Sequence, residues 1–257
     1  MANRGEIAVR IIKACNEMGI ETVVAVSEAD RESLPARLAD KAVCIGPPSP
    51  LQSYLNIDTI IAAALGTHCD GIHPGYGFLA ERSDLPKACS QNGLIFVGPS
   101  AKNILQMGDK LYARKVAIEA GVPVIPGSEL VRNFNEARLA ALKVGYPVLL
   151  KAVGGGGGKG MKIVGDEDEL SSTLNIAAAE ARVAFGDNRI YIEHYIHNAR
   201  HIEIQLIGDS RGNIVHCFER DCSLQRRYQK MLEEAPSPAI TDKLREKIVS
   251  SALMIAR

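Results

Sequence analysis

The sequence predicts two folding units, an α/β unit followed by an α+β unit. In the first hundred residues, apolar strand-like runs such as "ETVVAVSE" (21–28) and "GLIFVG" (93–98) alternate with helical patterns, which is typical of a parallel sheet covered by helices. Beyond about residue 105, strand-like runs follow one another closely, and the polar turn "GDSRGN" separates two of them, which favours antiparallel pairing. We therefore expect domains over residues 1–105 and 106–257.

The composition is that of a globular protein without a dominant charge. The 257 residues include 30 Lys and Arg and 30 Asp and Glu, so the formal net charge is zero and any anion site must be local. The six cysteines form no C-x-x-C pair, which favours free thiols in a reducing compartment. No apolar run reaches the roughly 20 residues of a membrane helix. We expect a cytoplasmic protein with no nucleic-acid or membrane partner.

In the first unit, "EIAVRIIKACNEM" (6–18) has helical spacing, with Gly19 as its C-terminal stop. "IDTIIAAALGTHCDGIHP" then continues the alternation of helix and strand. A βαβ unit needs a strand before its first helix, and the sequence lacks room for one. We therefore expect this first strand to be missing.

In the second unit, "MGDKLYARKVAIEAGVP" and "NEARLAALKVG" have helical patterns, and a further helix starts near "DEDEL" with acidic residues in its first turn. The last helix begins after Thr241, a suitable N-cap, and continues to Arg257 without a stop signal, so we expect the chain to be cut there. The expected strands are "YPVLLKAV", "MKIV", "RIYIEHYI", "RHIEIQLIGD" and "NIVHCFERD".

The five glycines in "KAVGGGGGKGM" (151–161) lie between two apolar strand-like segments. A flexible linker normally has polar flanks, so a phosphate-binding loop is the favoured interpretation, since backbone N–H groups without side chains can approach an anion closely. A strand rather than a helix follows, which argues against a Rossmann turn. The pattern favours a glycine-rich hairpin that closes over a nucleotide, with Lys151 as a phosphate ligand. Lys110 is either a second ligand or a solvated helix lysine.

Two polar segments follow. In "RHIEIQLIGD", alternation places His201 and Glu203 on one face of a strand, which is either an ordinary amphipathic strand or the wall of a polar cleft. "ERDCSLQRRYQK" (219–230) concentrates positive charge in twelve residues. That segment is either a solvated loop or an anion site.

Six segments together closely resemble biotin carboxylase, the ATP-grasp component of acetyl-CoA carboxylase and related biotin-dependent carboxylases. They are "ANRGEIAVRI", "HPGYGFLAE", "GDK", "GYPVLLKAVGGGGGKGM", "RHIEIQ" and "ERDCSLQRRYQK…EEAPSP". The resemblance runs from residue 2 to residue 257 and implies a truncated member of the family. The implied fold is a Rossmann-like N-terminal domain and then a partial ATP-grasp fold. Its glycine-rich lid would span about residues 125–195. The C-terminal part of the ATP-grasp fold would be missing.

The resemblance implies a ligase that uses ATP and bicarbonate to carboxylate biotin on a carrier protein, through carboxyphosphate. It also implies a carboxyltransferase partner, a homodimer and a place in fatty acid biosynthesis, although the final acceptor could be acetyl-CoA, another acyl-CoA or pyruvate. Two rival interpretations are a non-catalytic nucleotide-binding or interaction module and another ATP-grasp ligase such as a carbamoyl-phosphate synthase.

The resemblance also assigns site residues. Lys230 would hold bicarbonate, and Tyr76 and Gly77 would lie near biotin. His194 and Tyr228 depart from the residue types common at those places. The Mg²⁺ ligands and the catalytic glutamate are expected beyond residue 257, so this chain is expected to be inactive by itself. The implied ATP-binding residues are Lys110, Lys151, Gly157, Gly158, Met161, Glu193, His194, Tyr195, Ile196, His201, Gln225 and Tyr228.

Overall fold

A computed structural model describes residues 1–154, 160–226 and 228–257. The chain divides into two units, Met1–Gly108 and Asp109–Arg257, and each has its own buried apolar core. None of the described helices combines the length and the apolar character needed to cross a membrane.

The first unit pairs its strands in parallel, as the alternation of helix and strand predicts. Strand β1 pairs with β2, and β3 pairs with β4. The first helix ends at its predicted stop, where Gly19 has a φ of +69°. The elements are α1 (Gly5–Glu17), β1 (Val23–Val26), α2 (Leu34–Leu38), β2 (Lys41–Cys44), α3 (Ile57–Gly66), β3 (Gly71–Ile72), α4 (Asp84–Gln91), β4 (Ile95–Phe96) and α5 (Ala101–Gly108).

The two residues at the start of the chain hydrogen-bond in the manner of a strand. The Met1 ammonium donates to Val23 O at 2.7 Å, and Ala25 N donates to Met1 O at 3.0 Å. On the other side, Ala2 N donates to His73 O at 3.0 Å. Met1 and Ala2 therefore supply part of the pairing expected from a strand before α1.

The second unit contains two three-stranded antiparallel sheets, which confirms the α+β prediction. Their strand orders are β6-β5-β7 and β10-β9-β8. The elements are α6 (Lys110–Glu119), α7 (Phe134–Val144), β5 (Val148–Ala152), β6 (Met161–Val164), α8 (Glu167–Phe185), β7 (Ile190–His194), β8 (Ile202–Gly208), β9 (Ile214–Arg226), β10 (Gln229–Glu234) and α9 (Asp242–Ala256). Thr241 caps α9 as predicted, because its side chain accepts from Leu244 N.

Two predictions of secondary structure were wrong. The helix predicted from Met107 is divided at Asp109, whose side chain caps α6 by accepting from Tyr112 N at 3.0 Å. The sequence predicts no strand over residues 222–234, yet β9 extends to Arg226 and β10 pairs with it. All six residues of β10 are exposed, so no apolar alternation marks this strand.

The sheet β6-β5-β7 has one core face and one face that carries polar side chains. Val148, Leu150 and Ala152 are buried in the core, and the alternate residues of β5 point to the opposite face. On that opposite face, Lys151 lies directly across from Met161 on β6 and from Tyr191 on β7. The strand register therefore places these side chains in one row.

Candidate functional site

Lys151 forms an ion pair on the polar face of β6-β5-β7. Its Nζ donates to Glu193 Oε2 at 2.6 Å, and Arg114 Nη1 lies 3.5 Å from the other oxygen, Oε1. The side chains of Lys151, Arg114 and Glu193 are only 21%, 15% and 10% exposed. A single, largely buried carboxylate thus lies between two cations.

Lys110 adds a third cation to this group. Its Nζ donates to Ala152 O at 3.1 Å, at the end of the strand that carries Lys151. Burial and then the charge of Lys151 lower the pKa of Lys110, against the opposing effects of Glu193 and Asp109. The like charges therefore repel one another in a poorly hydrated place. An anion bound between them would relieve that repulsion.

The predicted hinge, residues 193–196, begins with Glu193, the carboxylate that pairs with Lys151. The N–H groups of His194 and Tyr195 donate to Pro126 O at 2.9 Å and to Pro147 O at 3.0 Å. His194 Nδ1 lies 3.0 Å from Gly145 O, so this ring is turned to a helix end. Within the described part of the chain, the N–H of Ile196 has no hydrogen-bond acceptor.

A second polar group is centred on Glu203 in β8. The ammonium of Lys230 donates to its Oε1, and Arg220 Nη2 donates to its Oε2 at 2.8 Å. His201 Nε2 lies 3.3 Å from Oε1. Burial would raise the pKa of Glu203, but the hydrogen bond and charge of Lys230, followed by the electrostatic effects of His201 and Arg220, lower it overall. Glu203 is therefore held as a carboxylate that fixes the Lys230 ammonium in place.

Gln225 orients the histidine of this second group. Its Nε2 lies 2.7 Å from His201 Nδ1 and also donates to Cys222 O at 2.9 Å. With the amide donating, His201 Nδ1 accepts, which leaves the ring proton on Nε2, toward Glu203. A hydrogen bond therefore joins Gln225 to His201, and both His201 and Lys230 lie next to Glu203 Oε1, although the three residues come from three different strands or strand ends.

Tyr228, Tyr76 and Gly77 are further predicted site residues that the structure describes. Tyr228 lies in the turn between β9 and β10, 48% exposed, with a φ of +64°. Gly157 and Gly158 lie outside the described residues. Tyr76, 61% exposed, and Gly77, with a φ of +64°, belong to the first unit.

Sequence reasoning missed three charged members of the two groups. Glu203 was placed on a polar strand face but was given no role. Arg114 follows Lys110 by four residues, a spacing that puts both on one side of α6. Arg220 also donates to Glu233 Oε2 at 2.8 Å, across the β9–β10 pair that the sequence did not predict. The helical spacing could have identified Arg114.

The described residues contain no cluster of three or more His, Cys, Asp or Glu side chains arranged to hold a metal ion. Around Glu193, two cations share one carboxylate, whereas around Glu203 the cations Arg220 and Lys230 are balanced by Glu203 and Glu233. The first group therefore suits the binding of an anion.

Two family profiles together match nearly the whole chain. Residues 1–104 match a family described as "Biotin carboxylase, N-terminal domain". Residues 109–257 match one described as "Carbamoyl-phosphate synthase L chain, ATP binding domain". The second match alone covers more than half of the chain.

Known proteins agree with the profiles. Biotin carboxylase 1 of Bacillus subtilis is 50% identical over 258 residues, which cover 100% of this chain and 57% of that protein. A crystal structure of a biotin carboxylase–β-γ-ATP complex from Campylobacter jejuni has a TM-score of 0.96 and 46% identity, covering 99% of this chain and 57% of the other.

A second solved structure is the biotin carboxylase domain dimer of Hydrogenobacter thermophilus 2-oxoglutarate carboxylase, in complex with MgADP, ADP and bicarbonate. Its TM-score is 0.94 at 46% identity, and the match covers 99% of this chain and 56% of that one. This chain thus spans a little over half the length of the relatives that it matches. The chain belongs to the biotin carboxylase family.

Proposed function

We propose that this chain carries the nucleotide- and bicarbonate-binding residues of an ATP-dependent biotin carboxylase, a ligase that forms a carbon–nitrogen bond. The observation that carries the proposal is that Lys110 on α6, whose Nζ lies 3.1 Å from Ala152 O, and Lys151 on β5 place like charges close together, and an anion would relieve their repulsion. Relatives solved with a β-γ-ATP ligand and with MgADP and bicarbonate support this choice of anions.

In this proposal, Lys110 and Lys151 hold the phosphates of ATP, together with the amides of Gly157 and Gly158. Lys151 would exchange its bond to Glu193 for a phosphate oxygen, and Arg114 would keep Glu193 paired. Met161, which lies opposite Lys151 on the neighbouring strand β6, would pack on the adenine. The N–H of Ile196 would donate a hydrogen bond to the edge of the adenine ring. Glu193, His194 and Tyr195 complete that hinge.

The bicarbonate ion would bind at Lys230, which Glu203 holds in place, with His201, Gln225 and Tyr228 beside the nucleotide. A bicarbonate oxygen attacks the γ-phosphorus, forming one P–O bond as the bond to ADP breaks. Carboxyphosphate then splits into CO₂ and phosphate. The released phosphate would take the proton from the ureido nitrogen of biotin, near Tyr76 and Gly77, and that nitrogen would then attack the CO₂ to form the carbon–nitrogen bond.

Magnesium ions neutralise and orient the triphosphate in enzymes of this chemistry. The described residues contain no group of three or more His, Cys, Asp or Glu side chains arranged to hold a metal ion, so they present no evident ligand set for Mg²⁺. No step is therefore assigned to Mg²⁺ through the residues of this chain.

We further propose a biotin carboxyl carrier protein or domain and a carboxyltransferase as partners, and a homodimer, as in the dimeric Hydrogenobacter domain. A cytoplasmic location agrees with six free cysteines, which suit a reducing compartment. A place in fatty acid biosynthesis is proposed for the case in which acetyl-CoA is the final acceptor; another acyl-CoA and pyruvate are the alternatives. A carbamoyl-phosphate synthase is the second candidate, because residues 109–257 match that family's ATP-binding domain. The match of residues 1–104 favours biotin carboxylase.

Replacing Lys230 with alanine tests the bicarbonate site. In the intact protein, we expect the Michaelis constant for bicarbonate to rise about tenfold to a hundredfold, because a charged hydrogen bond contributes about 1.5–3 kcal/mol. The Michaelis constant for ATP should change little. Steady-state rates of bicarbonate-dependent ATP hydrolysis measure both constants. The matched control is Lys243→Ala, an exposed lysine on α9. An unchanged bicarbonate constant in a folded Lys230→Ala protein would refute the assignment.

A further inference from the structure

The segment His73–Phe78, "HPGYGF", has an unusual backbone. Gly75 and Gly77 have φ angles of +67° and +64°, and Phe78, which has a side chain, has a φ of +43°. A left-handed backbone at a bulky residue is unfavourable and persists only where neighbouring groups enforce it. Residues that contact this segment must therefore hold it in shape.

Asn3 makes the most direct contacts with this segment. It is 4% exposed, and its Nδ2 donates to Pro74 O at 2.8 Å and to Tyr76 O at 2.7 Å. Its Oδ1 accepts from Arg4 N at 2.8 Å. Both amide hydrogens are thus committed to two carbonyls of one segment, and the oxygen is committed to the start of α1. No other side-chain type of this size offers that set of donors and acceptor.

Asn3 also fits the segment closely in shape. A Cβ added at Gly75 would lie 2.9 Å from Asn3 Nδ2 and 3.2 Å from Asn3 Cβ, so only glycine leaves room for the amide. Next to Asn3, Ala2 N donates to His73 O at 3.0 Å. At the far end of the segment, the Phe78 ring stacks on the fully buried Tyr54, with centroids 5.3 Å apart. The segment is therefore fixed at its start, middle and end.

We propose that Asn3 is a positioning residue for biotin: it sets the backbone of His73–Phe78 and thereby the placement of Tyr76 and Gly77. This inference rests on the proposed function, which puts those two residues near biotin. Asn3 itself is buried behind the segment and acts only through it. Its loss should therefore weaken the use of biotin and leave the use of ATP unchanged.

The test compares Asn3→Ala and Asn3→Asp with Asn92→Ala in the intact protein. Asn3→Asp keeps the size of the side chain but turns a carboxylate toward two carbonyls. Asn92 is a control in the same unit, because its Nδ2 also donates to a backbone carbonyl, Ala88 O at 2.8 Å, but on the surface. Two readouts are measured: the Michaelis constants for free biotin and for ATP, and the hydrogen exchange of amides 73–80 without substrate.

For both Asn3 variants we expect the biotin constant to rise about tenfold, equivalent to about 1.4 kcal/mol, with an unchanged ATP constant. Exchange at amides 73–80 should become faster, and Asn92→Ala should match the wild type in both readouts. An unchanged biotin constant, or unchanged exchange in folded Asn3 variants, would overturn the inference. Failure of the wild-type protein to carboxylate biotin would instead overturn the proposed function, and the exchange data would still report whether Asn3 holds the segment.

Discussion

Replacing Glu219 with glutamine is expected to lower the free energy of unfolding of the second unit by about 3 kcal/mol, because it removes one partner of a buried ion pair. The Glu219 side chain is 0% exposed, and Arg245 Nε lies 2.9 and 3.0 Å from its two oxygens. Ser237 N also donates to it at 3.1 Å. Glutamine has the size of glutamate, but its amide N–H groups would face the N–H groups of Arg245, which are also donors. The Arg245 guanidinium, 19% exposed, would then keep only the exposed carboxylate of Asp242 as a charged partner.

The effect of Glu219 should depend on pH. Burial would raise the pKa of this carboxyl, but the hydrogen bonds from Arg245 and Ser237 lower it overall. The stabilisation is therefore fully present above the unfolded-state pKa of about 4.3 and is lost as the pH falls through the lower folded-state value. The wild-type protein should lose stability below about pH 4, and Glu219→Gln should show a flatter dependence in this range.

Urea denaturation, combined with hydrogen exchange of the β9 amides, measures the decrease in the free energy of unfolding. The matched control is Glu246→Gln on the exposed side of α9, which should stay within about 0.5 kcal/mol of the wild type. A Glu219→Gln protein as stable as this control at neutral pH would show that the buried pair contributes little.

Replacing Lys151 with alanine is expected to raise the dissociation constant of ATP about tenfold to a hundredfold in the intact protein, since one charged hydrogen bond to phosphate would be lost. The sheet should remain folded, because Arg114 lies 3.5 Å from Glu193 and the core face of β5 is untouched. Isothermal titration calorimetry measures the constant, and circular dichroism checks the fold.

Lys162 provides the control for Lys151. It lies on the neighbouring strand β6, and its Nζ donates to Glu180 Oε1 at 2.8 Å, so it is also a paired lysine. It projects to the opposite face of the sheet, since it pairs with Leu150 rather than with Lys151. Lys162→Ala should bind ATP like the wild type. Equal affinities of the two variants for ATP would show that Lys151 does not bind its phosphates.

The sequence predicts the strands and helices of the second unit where apolar periodicity is strong. The alternation in "VLLKA" identifies a half-buried strand, and the structure places Lys151 on its polar face. The partner of Lys151 could not be predicted, because Glu193 is 42 residues away and meets it only through the pairing of β5 with β7. Strand register, which the sequence does not state, decides such contacts.

Strand β10 escaped prediction for a related reason. Its residues are all exposed, so its charged sequence resembles a loop. Only the pairing with β9 shows that Lys230 lies opposite Gln225 and close to Glu203. In the first unit, the glycines of "HPGYGF" signal a special backbone, but the role of Asn3 depends on a contact 71 residues distant in the chain. The sequence thus indicates which residues are candidates for the site, whereas the contacts between them become known only from the folded structure.

The most direct test of the central claim is the fate of labelled bicarbonate. The intact protein is incubated with ATP, radiolabelled bicarbonate, free biotin and a source of ammonia, and the products are separated. Biotin carboxylation predicts label in carboxybiotin, formed together with ADP and phosphate and dependent on biotin. Label in carbamoyl phosphate, or ATP cleavage that ignores biotin and leaves it unlabelled, would contradict the claim.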